Sequence, residues 1–429
     1  MRDPKVAERQ ETVKLTLQLL DELFSRNSDR FGVRLWDGTV WPDNRPRSAI
    51  LVLKHPGALR AMLLPGSVIA LSEAYLYDDI DVEGDFLAVF EWANDLVRHT
   101  ANWKDKLSVA RDLMRLPNQM NPRVSRRGPA KLSGKRHSIE RDRQAVAYHY
   151  NVSNDFYALF LGQRMVYTCA YFRTHEDSLD QAQEQKLEHI CRKLRLKPGQ
   201  RMLDIGCGWG GLVLYAAEKY GVDATGVTLS RPQVELANQR IAAAGLGDRC
   251  RVQYRDYREV DETYDVLVSI GMFEQVGEDQ LPVYFKHANQ ILHPGGVFLN
   301  HGIARRAGDP TWSYQAFSDA YVFPDGGLSP ISHTLHVAEE SGFEVRDVES
   351  LREHYIQTLT RWVASLENRH SEALACVDEP TFRVWRAYLS ASKFGFLMGR
   401  LNIYQSLLFK PAGFGPSGLP LTREDWYRC

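Results

Sequence analysis

The chain has 429 residues, of which 44% are hydrophobic and 25% are charged, and its formal net charge is −1. This length favours two domains, and a charge so close to zero gives no overall field that would attract nucleic acid. The six cysteines are scattered, with no CxxC pair and no histidine at zinc-ligand spacing. This pattern argues against a disulfide framework or a metal site and suits a reducing cytoplasm.

Neither the first fourteen residues nor the apolar runs of the sequence indicate a membrane-spanning segment. Residues 1–14 are charged and contain no apolar core, so they do not resemble a secretory signal. The longest apolar runs, such as 266–273, are far shorter than a bilayer crossing. The sequence therefore predicts a cytoplasmic protein whose membrane contact is peripheral.

Residues 1–120 are predicted to form a smaller N-terminal α+β domain. An amphipathic helix is expected at 13–24, and Asp37-Gly38 is a hairpin-turn signal at the end of the first strand-like segment. No catalytic cluster stands out in this region. The other predicted elements are strands at 32–36 and 48–53 and helices at 86–96 and 103–116.

Residues 121–145 are predicted to be a basic linker. Between 121 and 143 there are eight Lys or Arg residues against Glu140 and Asp142, with Pro and Gly interleaved. Two interpretations stay open: a solvated linker, or a polybasic segment attracted to anionic lipid headgroups. In the second case each cation near the surface contributes about 1 kcal/mol.

From Gln200 onward, strand-like and helix-like segments alternate, which predicts a parallel sheet covered by helices on both faces. We therefore expect an α/β domain over 146–429. The predicted strands are 201–206, 222–227, 251–254, 264–270 and 297–300, and the predicted helices are 212–220 and 232–244.

The strongest single motif is residues 203–211, LDIGCGWGG, at the turn between the first strand and helix. Glycines there let a ligand approach the backbone, at the sheet edge where such folds bind ligands. Asp204 and the glycine run resemble the motif of class I methyltransferases, which implies a Rossmann-like fold and S-adenosylmethionine. A nicotinamide enzyme would place Asp or Glu after the second strand, where this chain has GVTLS at 226–230.

Four further stretches narrow the resemblance: HYNVSNDFY at 149–157, MVYTCAYF at 165–172, GMFEQVG at 271–277 and YVFP at 321–324. Together they resemble the cyclopropane fatty acid synthase and mycolic acid methyltransferase family over 145–429. Residues 34–80 more loosely resemble the N-terminal domain of the longer, phospholipid-acting members. The resemblance thus implies a substrate among unsaturated acyl chains of membrane phospholipids.

The resemblance also implies a set of site residues. For S-adenosylmethionine these are Tyr167, Thr168, Asp204, Gly206, Gly208, Gly210, Thr228, Ser230, Gln233, Asp256 and Tyr257. For a bicarbonate ion acting as general base they are Cys169, Glu274, His301, Tyr355 and, through its backbone, Ile303. Two positions depart from the family pattern: Gln275 replaces the usual His, and Gly302 replaces the usual Thr.

These residue types suit methyl transfer to an alkene. Attack of the double bond on a sulfonium methyl leaves a carbocation on the acyl chain, and a base then removes a proton so that the ring closes. Glu274 and His301 would orient the base, with the Tyr355 hydroxyl as donor. Cys169 has no His or Asn partner in sequence, so we interpret it as a pocket-wall ligand and not a nucleophile.

Two alternatives stay open. Loss of a different proton from the same cation gives a methylene- or methyl-branched chain, and Gln275 and Gly302 leave that outcome open. A non-catalytic lipid-binding protein is the alternative from another class, although the intact motifs count against it. The expected partners are unsaturated phospholipid chains at the inner face of the membrane, without nucleic acid, and a homodimer is left open.

Overall fold

The computed structural model of the protein describes residues 4–24, 29, 31–99, 103–309 and 315–427. The chain divides into two compact units. The first comprises Met1–Gly128, Ser313–Ser318 and Asp378–Phe394, and the second comprises Pro129–Trp312, Asp319–Val377 and Gly395–Cys429. Five cysteines are free thiols, and Cys429 lies outside the described residues.

The first unit combines helices with a four-stranded sheet. Up to residue 128 its elements are α1 (Pro4–Phe24), β1 (Phe31–Arg34), β2 (Val40–Trp41), β3 (Ala49–Leu53), α2 (Ala58–Leu63), α3 (Val68–Leu76), β4 (Ile80–Gly84), α4 (Leu87–His99) and α5 (Trp103–Arg115). The sheet order is β2-β1-β3-β4. Strands β1 and β2 are antiparallel, and the Leu35 N–H donates to the Thr39 carbonyl at 2.8 Å, which confirms the hairpin predicted at Asp37-Gly38.

From residue 129 onward the chain is mainly an α/β structure. Its elements are α6 (Ile139–Tyr150), α7 (Asn154–Leu161), α8 (Leu179–Leu194), β5 (Arg201–Ile205), α9 (Gly211–Tyr220), β6 (Asp223–Thr228), α10 (Arg231–Ala243), β7 (Cys250–Tyr254), β8 (Tyr264–Ile270), α11 (Leu281–Ile291), β9 (Leu292–Arg305), α12 (Gln315–Tyr321), α13 (Ile331–Glu340), β10 (Glu344–Ser350), α14 (Arg352–Asn368), α15 (His370–Cys376), α16 (Glu379–Leu397), β11 (Leu401–Phe409) and α17 (Glu424–Tyr427). Short 3₁₀ helices lie at Tyr257–Glu259, Phe273–Gln275 and Glu278–Gln280.

The second unit is built on a seven-stranded sheet of order β10-β11-β9-β8-β5-β6-β7. The five strands from β9 to β7 are parallel, as the alternation of strands and helices predicts. The prediction of a parallel sheet does not hold for β11, which runs antiparallel to both β9 and β10. Strands β10 and β11 lie beyond the end of the repeating strand–helix pattern, so that pattern did not predict them.

Successive side chains of a strand point to opposite faces of the sheet. Both faces of this sheet are covered by helices, so apolar residues follow one another along its strands. Met202 and Val266 belong to a core with residues of α8 and α9. Their neighbours Leu203 and Leu267 belong to a second core with residues of α11 and α13. The sheet is therefore sandwiched between helices, and the carboxyl ends of its parallel strands are left to form a site.

The basic segment is only partly the linker that the sequence predicts. Helix α6 begins at Ile139, with the Ser138 side chain as its N-cap, so 139–145 are helical. At least four of the eight cations are in ion pairs: Arg123 with Asp79, Arg136 and Arg141 with Asp325, and Arg143 with Glu140 and Glu259. Much of the charge is therefore used within the protein.

Most of α16 belongs to the first unit, far from that unit's other residues in sequence. Arg383 is buried, and its guanidinium donates to the Tyr75 carbonyl at 2.8 Å and to Asp78 at 2.9 Å. A third contact reaches Asp81 at 3.3 Å. A charge-assisted network of this kind ties the late segment to the end of α3 and to β4.

Among the described helices, none is both long enough and apolar enough to cross a membrane.

Candidate active site

The glycine motif forms the turn between β5 and α9. Gly206 has φ +81°, and a Cβ there would come within 2.4 Å of the Met272 side chain, so only glycine fits. The indole N–H of Trp209 donates to Asn154 Oδ1 at 2.8 Å. The turn is thus held by a residue of the 149–157 stretch.

A cleft opens at this turn and encloses about 1160 Å³ of space not filled by atoms, part of it open to solvent. That space is large enough for a nucleoside-sized ligand. Nine of the eleven residues predicted to bind the cofactor line the cleft: Tyr167, Thr168, Asp204, Gly206, Gly208, Thr228, Gln233, Asp256 and Tyr257.

Gly210 and Ser230 do not line the cleft, and the structure gives each a supporting position. Gly210 caps α9 with φ +78°, and a Cβ there would lie 3.1 Å from Ala237, so it allows close helix packing. Ser230 is fully buried, and its hydroxyl lies 3.3 Å from Asn151. Next to it, Thr228 donates to Gln233 Oε1 at 2.7 Å, which fixes both side chains at the end of β6.

Asp256 follows β7, and both of its oxygens accept hydrogen bonds from the Arg258 guanidinium at 2.7 Å. Arg258 also donates to Asp142 of α6. Burial opposes the charge on Arg258, but the Asp256 carboxylate outweighs it and raises the pKa of Arg258. Oδ1 also accepts from the Arg258 N–H at 2.9 Å, so Asp256 is held in place and Oδ2 keeps a lone pair for a ligand donor.

Lys186 is a cleft residue that the sequence analysis does not single out. Its buried ammonium donates to Thr168 Oγ1 at 2.9 Å and has no carboxylate within ion-pair distance in the described part of the chain. Burial lowers the pKa of Lys186 to about 8. Burial also raises the pKa of Asp204 to about 7, against the opposing effect of Lys186, and Asp204 Oδ1 has no hydrogen-bond partner.

The carboxyl group of Glu274 is buried beside the cleft, between the lining residues Met272 and Gln275. Its Oε1 accepts a hydrogen bond of 2.7 Å from the Ile303 N–H, whereas Oε2 is buried without a hydrogen-bond partner. Burial raises the pKa of Glu274 to about 7, although the Ile303 hydrogen bond acts in the other direction. Such a carboxyl group can change its protonation state near neutral pH.

His301 lies two residues before Ile303 on β9 and is completely buried. Gln405 lies directly opposite on β11, and its side-chain amide is 3.2 Å from His301 Nδ1. Burial and the cations Lys186 and Lys193 hold the pKa of His301 well below its usual value, so the ring is neutral. Its Nε2 is buried without a hydrogen-bond partner.

Cys169 and Tyr355 are connected to this cluster through Leu351. The Cys169 sulfur lies 3.8 Å from the Leu351 carbonyl, which also accepts from the Tyr355 N–H at 3.0 Å. The Leu351 N–H donates to Ile403, the strand neighbour of Ile303. Burial raises the pKa of the Cys169 thiol far above its usual range, so the thiol is not an activated nucleophile.

The two predicted departures from the family pattern, Gly302 and Gln275, have different surroundings. A Cβ at Gly302 would come within 2.8 Å of the Phe273 ring, so the ring fills the space that a larger residue would need. Gln275 lines the cleft. Gly302 therefore has a packing reason, whereas Gln275 changes the wall that a ligand would touch.

The glycine turn, the lined cleft and the parallel sheet define a class I S-adenosylmethionine-dependent methyltransferase. Residues 137–406 match the family described as mycolic acid cyclopropane synthetase, and the chain belongs to that family. A solved structure of the mycolic acid cyclopropane synthase CmaA1, complexed with SAH and CTAB, is 34% identical with a TM-score of 0.60. The match covers 62% of this chain and 98% of that one.

Two relatives match over nearly their whole length. A probable fatty acid methyltransferase from Pseudomonas putida is 38% identical over 401 residues, which is 92% of this chain and 96% of that protein. A probable fatty acid methyltransferase from Mycobacterium tuberculosis is 37% identical over 403 residues, which is 91% of each chain. The similarity therefore extends through the first unit as well as the methyltransferase part.

Proposed function

We propose that this enzyme transfers a one-carbon group from S-adenosylmethionine to the double bond of an unsaturated phospholipid acyl chain, forming a cyclopropane ring. The observation that carries the proposal is the pair of buried, unpartnered atoms Glu274 Oε2 and His301 Nε2 beside the cofactor cleft. They offer one acceptor oxygen and one ring nitrogen to a small polar group. None of the predicted catalytic residues is an activated nucleophile.

The cleft residues fit S-adenosylmethionine. Lys186 supplies a cation without a counter-ion, and Asp204 supplies a carboxyl oxygen without a partner, so the two match the zwitterionic amino-acid end of the cofactor. Asp256 suits the adenine amino group, and Thr228 and Gln233 suit the ribose hydroxyls. The bound cofactor supplies an electrophilic methyl group.

The residues implied for bicarbonate fit in part. Glu274 Oε2 and His301 Nε2 are available to hold an ion, which would supply the base for proton removal. The Ile303 N–H donates to Glu274 in this structure, so its role here is to orient that carboxyl group. Cys169 and Tyr355 both contact the Leu351 carbonyl, and Tyr355 lies in the first turn of α14.

In the proposed reaction the acyl chain gains a methyl group and loses one proton, so its net gain is one CH₂. One alkene carbon forms a bond to the methyl carbon, the bond from that methyl carbon to sulfur breaks, and a cation is left on the other alkene carbon. Removal of a proton from the added methyl group closes the ring, and the burial of Glu274 and His301 keeps water from reaching the cation. Buried aromatic rings such as Phe273 stabilise positive charge without reacting.

A second candidate outcome is a methylene- or methyl-branched chain from the same cation. The full-length match to two probable fatty acid methyltransferases favours it, and so does the altered Gln275 in the cleft wall. Loss of a proton from an adjoining carbon would leave an alkene in the product. A saturated methyl branch would need a reductant from a separate enzyme.

The test is mass spectrometry of phospholipid acyl chains after incubation of the protein with S-adenosylmethionine and unsaturated-phospholipid vesicles. A product heavier by one CH₂ without an alkene supports cyclopropanation. The same mass with a surviving alkene indicates the branched product. Binding of the cofactor without any change in mass would favour a different acceptor or the non-catalytic alternative.

We also propose that residues 1–120 serve the membrane-bound substrate and that the basic segment attracts the anionic inner face of the membrane. Arg126, Lys131 and Lys135 are exposed and have no ion pair among the described residues. Replacing the three by Gln should weaken sedimentation with anionic vesicles and remove its salt dependence. Unchanged vesicle binding would contradict the proposal.

A further inference from the structure

A chain of buried polar groups continues from His301 away from the cleft. Gln405 Nε2 lies 3.2 Å from His301 Nδ1, and Lys193 Nζ lies 2.9 Å from Gln405 Oε1. Lys193 also contacts the Glu349 carboxylate, which lies 2.9 Å from His189 Nε2. Lys193, His301 and Gln405 are each at most 1% exposed, so water does not compete for these contacts.

The order of donors along this chain is fixed by chemistry. An ammonium group can only donate, so Lys193 requires the Gln405 oxygen on its side. The NH₂ end of the same amide must then face His301 and donate to Nδ1. A neutral imidazole that accepts at Nδ1 carries its proton on Nε2.

We propose that Gln405 is a positioning residue that holds neutral His301 in the Nε2–H tautomer, so that the histidine presents a hydrogen-bond donor to the site. Its Nε2 then has no lone pair with which to take a proton from the substrate. His301 therefore serves to hold a negatively charged or carbonyl-like oxygen, and proton removal falls to Glu274 or to an ion held beside it. Only this catalytic reading rests on the proposed function, whereas the tautomer does not.

The charged groups around the ring support a neutral donor. Lys186 and Lys193 oppose a positive charge on His301, Glu349 favours one, and His189 opposes one. Glu349 is itself engaged by Lys193 and His189, which keep its pKa at about 2 although burial alone would raise it. The carboxylate is thus committed to its own partners and does not draw a proton onto His301.

The tautomer can be measured directly. In the full chain labelled with ¹⁵N-histidine, the His301→Gln variant identifies the His301 signals by their loss. We expect a protonated Nε2 and an unprotonated Nδ1, with no titration between about pH 5.5 and about pH 7.5, which is about one unit on either side of the ordinary histidine pKa. A protonated Nδ1, or a doubly protonated ring, in the unaltered protein would overturn the proposal.

A single-atom change supplies the second arm. Gln405→Glu places an acceptor beside Nδ1, next to Lys193, and should reverse the tautomer. We expect a tenfold or larger loss of kcat for acyl methylation with unchanged affinity for S-adenosylmethionine. Gln239→Glu, at an exposed position of α10, is the matched control and should change neither quantity.

The outcomes separate the two proposals. If the unaltered protein modifies no acyl chain but shows the expected tautomer, the proposed function fails and the role of Gln405 in fixing His301 stands. If Gln405→Glu leaves the tautomer unchanged, the positioning role is wrong whatever the activity. Should that variant not fold, Gln405→Met leaves Nδ1 without a donor, and the ring should then populate both tautomers.

Discussion

The Glu274 carboxyl group is oriented by the backbone of Ile303, whose N–H donates to Oε1 at 2.7 Å and leaves Oε2 facing away without a partner. This contact exists because β8 pairs with β9 only as far as His301, so the Ile303 N–H is released from the sheet on that side. Beyond the last residue of β8, the backbone of β9 thus has an N–H available for a buried carboxyl group.

Replacing Glu274 by Gln should reduce acyl methylation by at least a hundredfold, because it removes a group that can exchange a proton near pH 7. Stability gives a second readout. With a pKa raised to about 7, native Glu274 keeps a proton that the unfolded chain has lost, so its contribution to stability falls between about pH 4.5 and pH 7. The loss amounts to about 3 kcal/mol.

Urea unfolding of both proteins across that pH range measures this effect. The stability of Glu274→Gln relative to the unaltered protein should rise as the pH increases. Glu235→Gln, at an exposed position of α10, should show no such trend. A flat difference between pH 5 and pH 8 would show that Glu274 is ionised throughout.

Replacing Lys186 by Met should weaken binding of S-adenosylmethionine about tenfold, or about 1.4 kcal/mol, because in the proposed binding mode the cofactor carboxylate would lose its cation. Binding of 5′-methylthioadenosine, which lacks the amino-acid end, should stay unchanged. Titration calorimetry with both ligands makes the comparison, with Lys131→Met at an exposed site as control. Equal weakening of both ligands would mean that Lys186 only shapes the cleft.

Replacing Gly302 by Ala should destabilise the protein by about 1–3 kcal/mol, because the new Cβ would meet the Phe273 ring at 2.8 Å. Adding Phe273→Leu should recover part of that loss, so the two changes should be non-additive. Gly247→Ala, where a Cβ meets nothing within 4 Å, is the control. Additive costs in a denaturant series would contradict the proposed contact.

Replacing Cys169 by Ser should lower kcat less than tenfold, because the thiol is buried with a raised pKa and serves as part of the wall. The unaltered thiol should also resist alkylation in the folded state. A covalent role would instead cost a thousandfold or more. Single-turnover rates of the variant, with Cys376→Ser as control, decide between the two.

The central strands could be predicted from the sequence because each is a short apolar run followed by a turn and an amphipathic helix. Strand β8 has the predicted bounds, and the glycine turn lies where its residues require. Strands β10 and β11 are different, since β11 pairs with β9 about one hundred residues earlier in the chain and β10 joins the sheet only through β11. No local pattern records such a pairing.

The site divides in the same way. Residues within motifs could be identified by resemblance, but Lys186 and Gln405 matter because of what the fold places beside them. A signal for Lys186 does exist: it and Lys193 share the stripe of α8 that holds the buried Leu187, Ile190 and Leu194. A lysine on the apolar stripe of a helix indicates either an ion pair or a ligand.

The discontinuity of the first unit has a consequence for biosynthesis. Its last segment, Asp378–Phe394, carries Arg383 and emerges from the ribosome some 250 residues after Gly128, which at typical synthesis rates is roughly 12–50 s later. During that interval Asp78 and Asp81 lack the Arg383 guanidinium, which contacts both of them in the folded protein. The first unit begins with the residues that are translated first, yet it can finish folding only after nearly the whole chain has been synthesised.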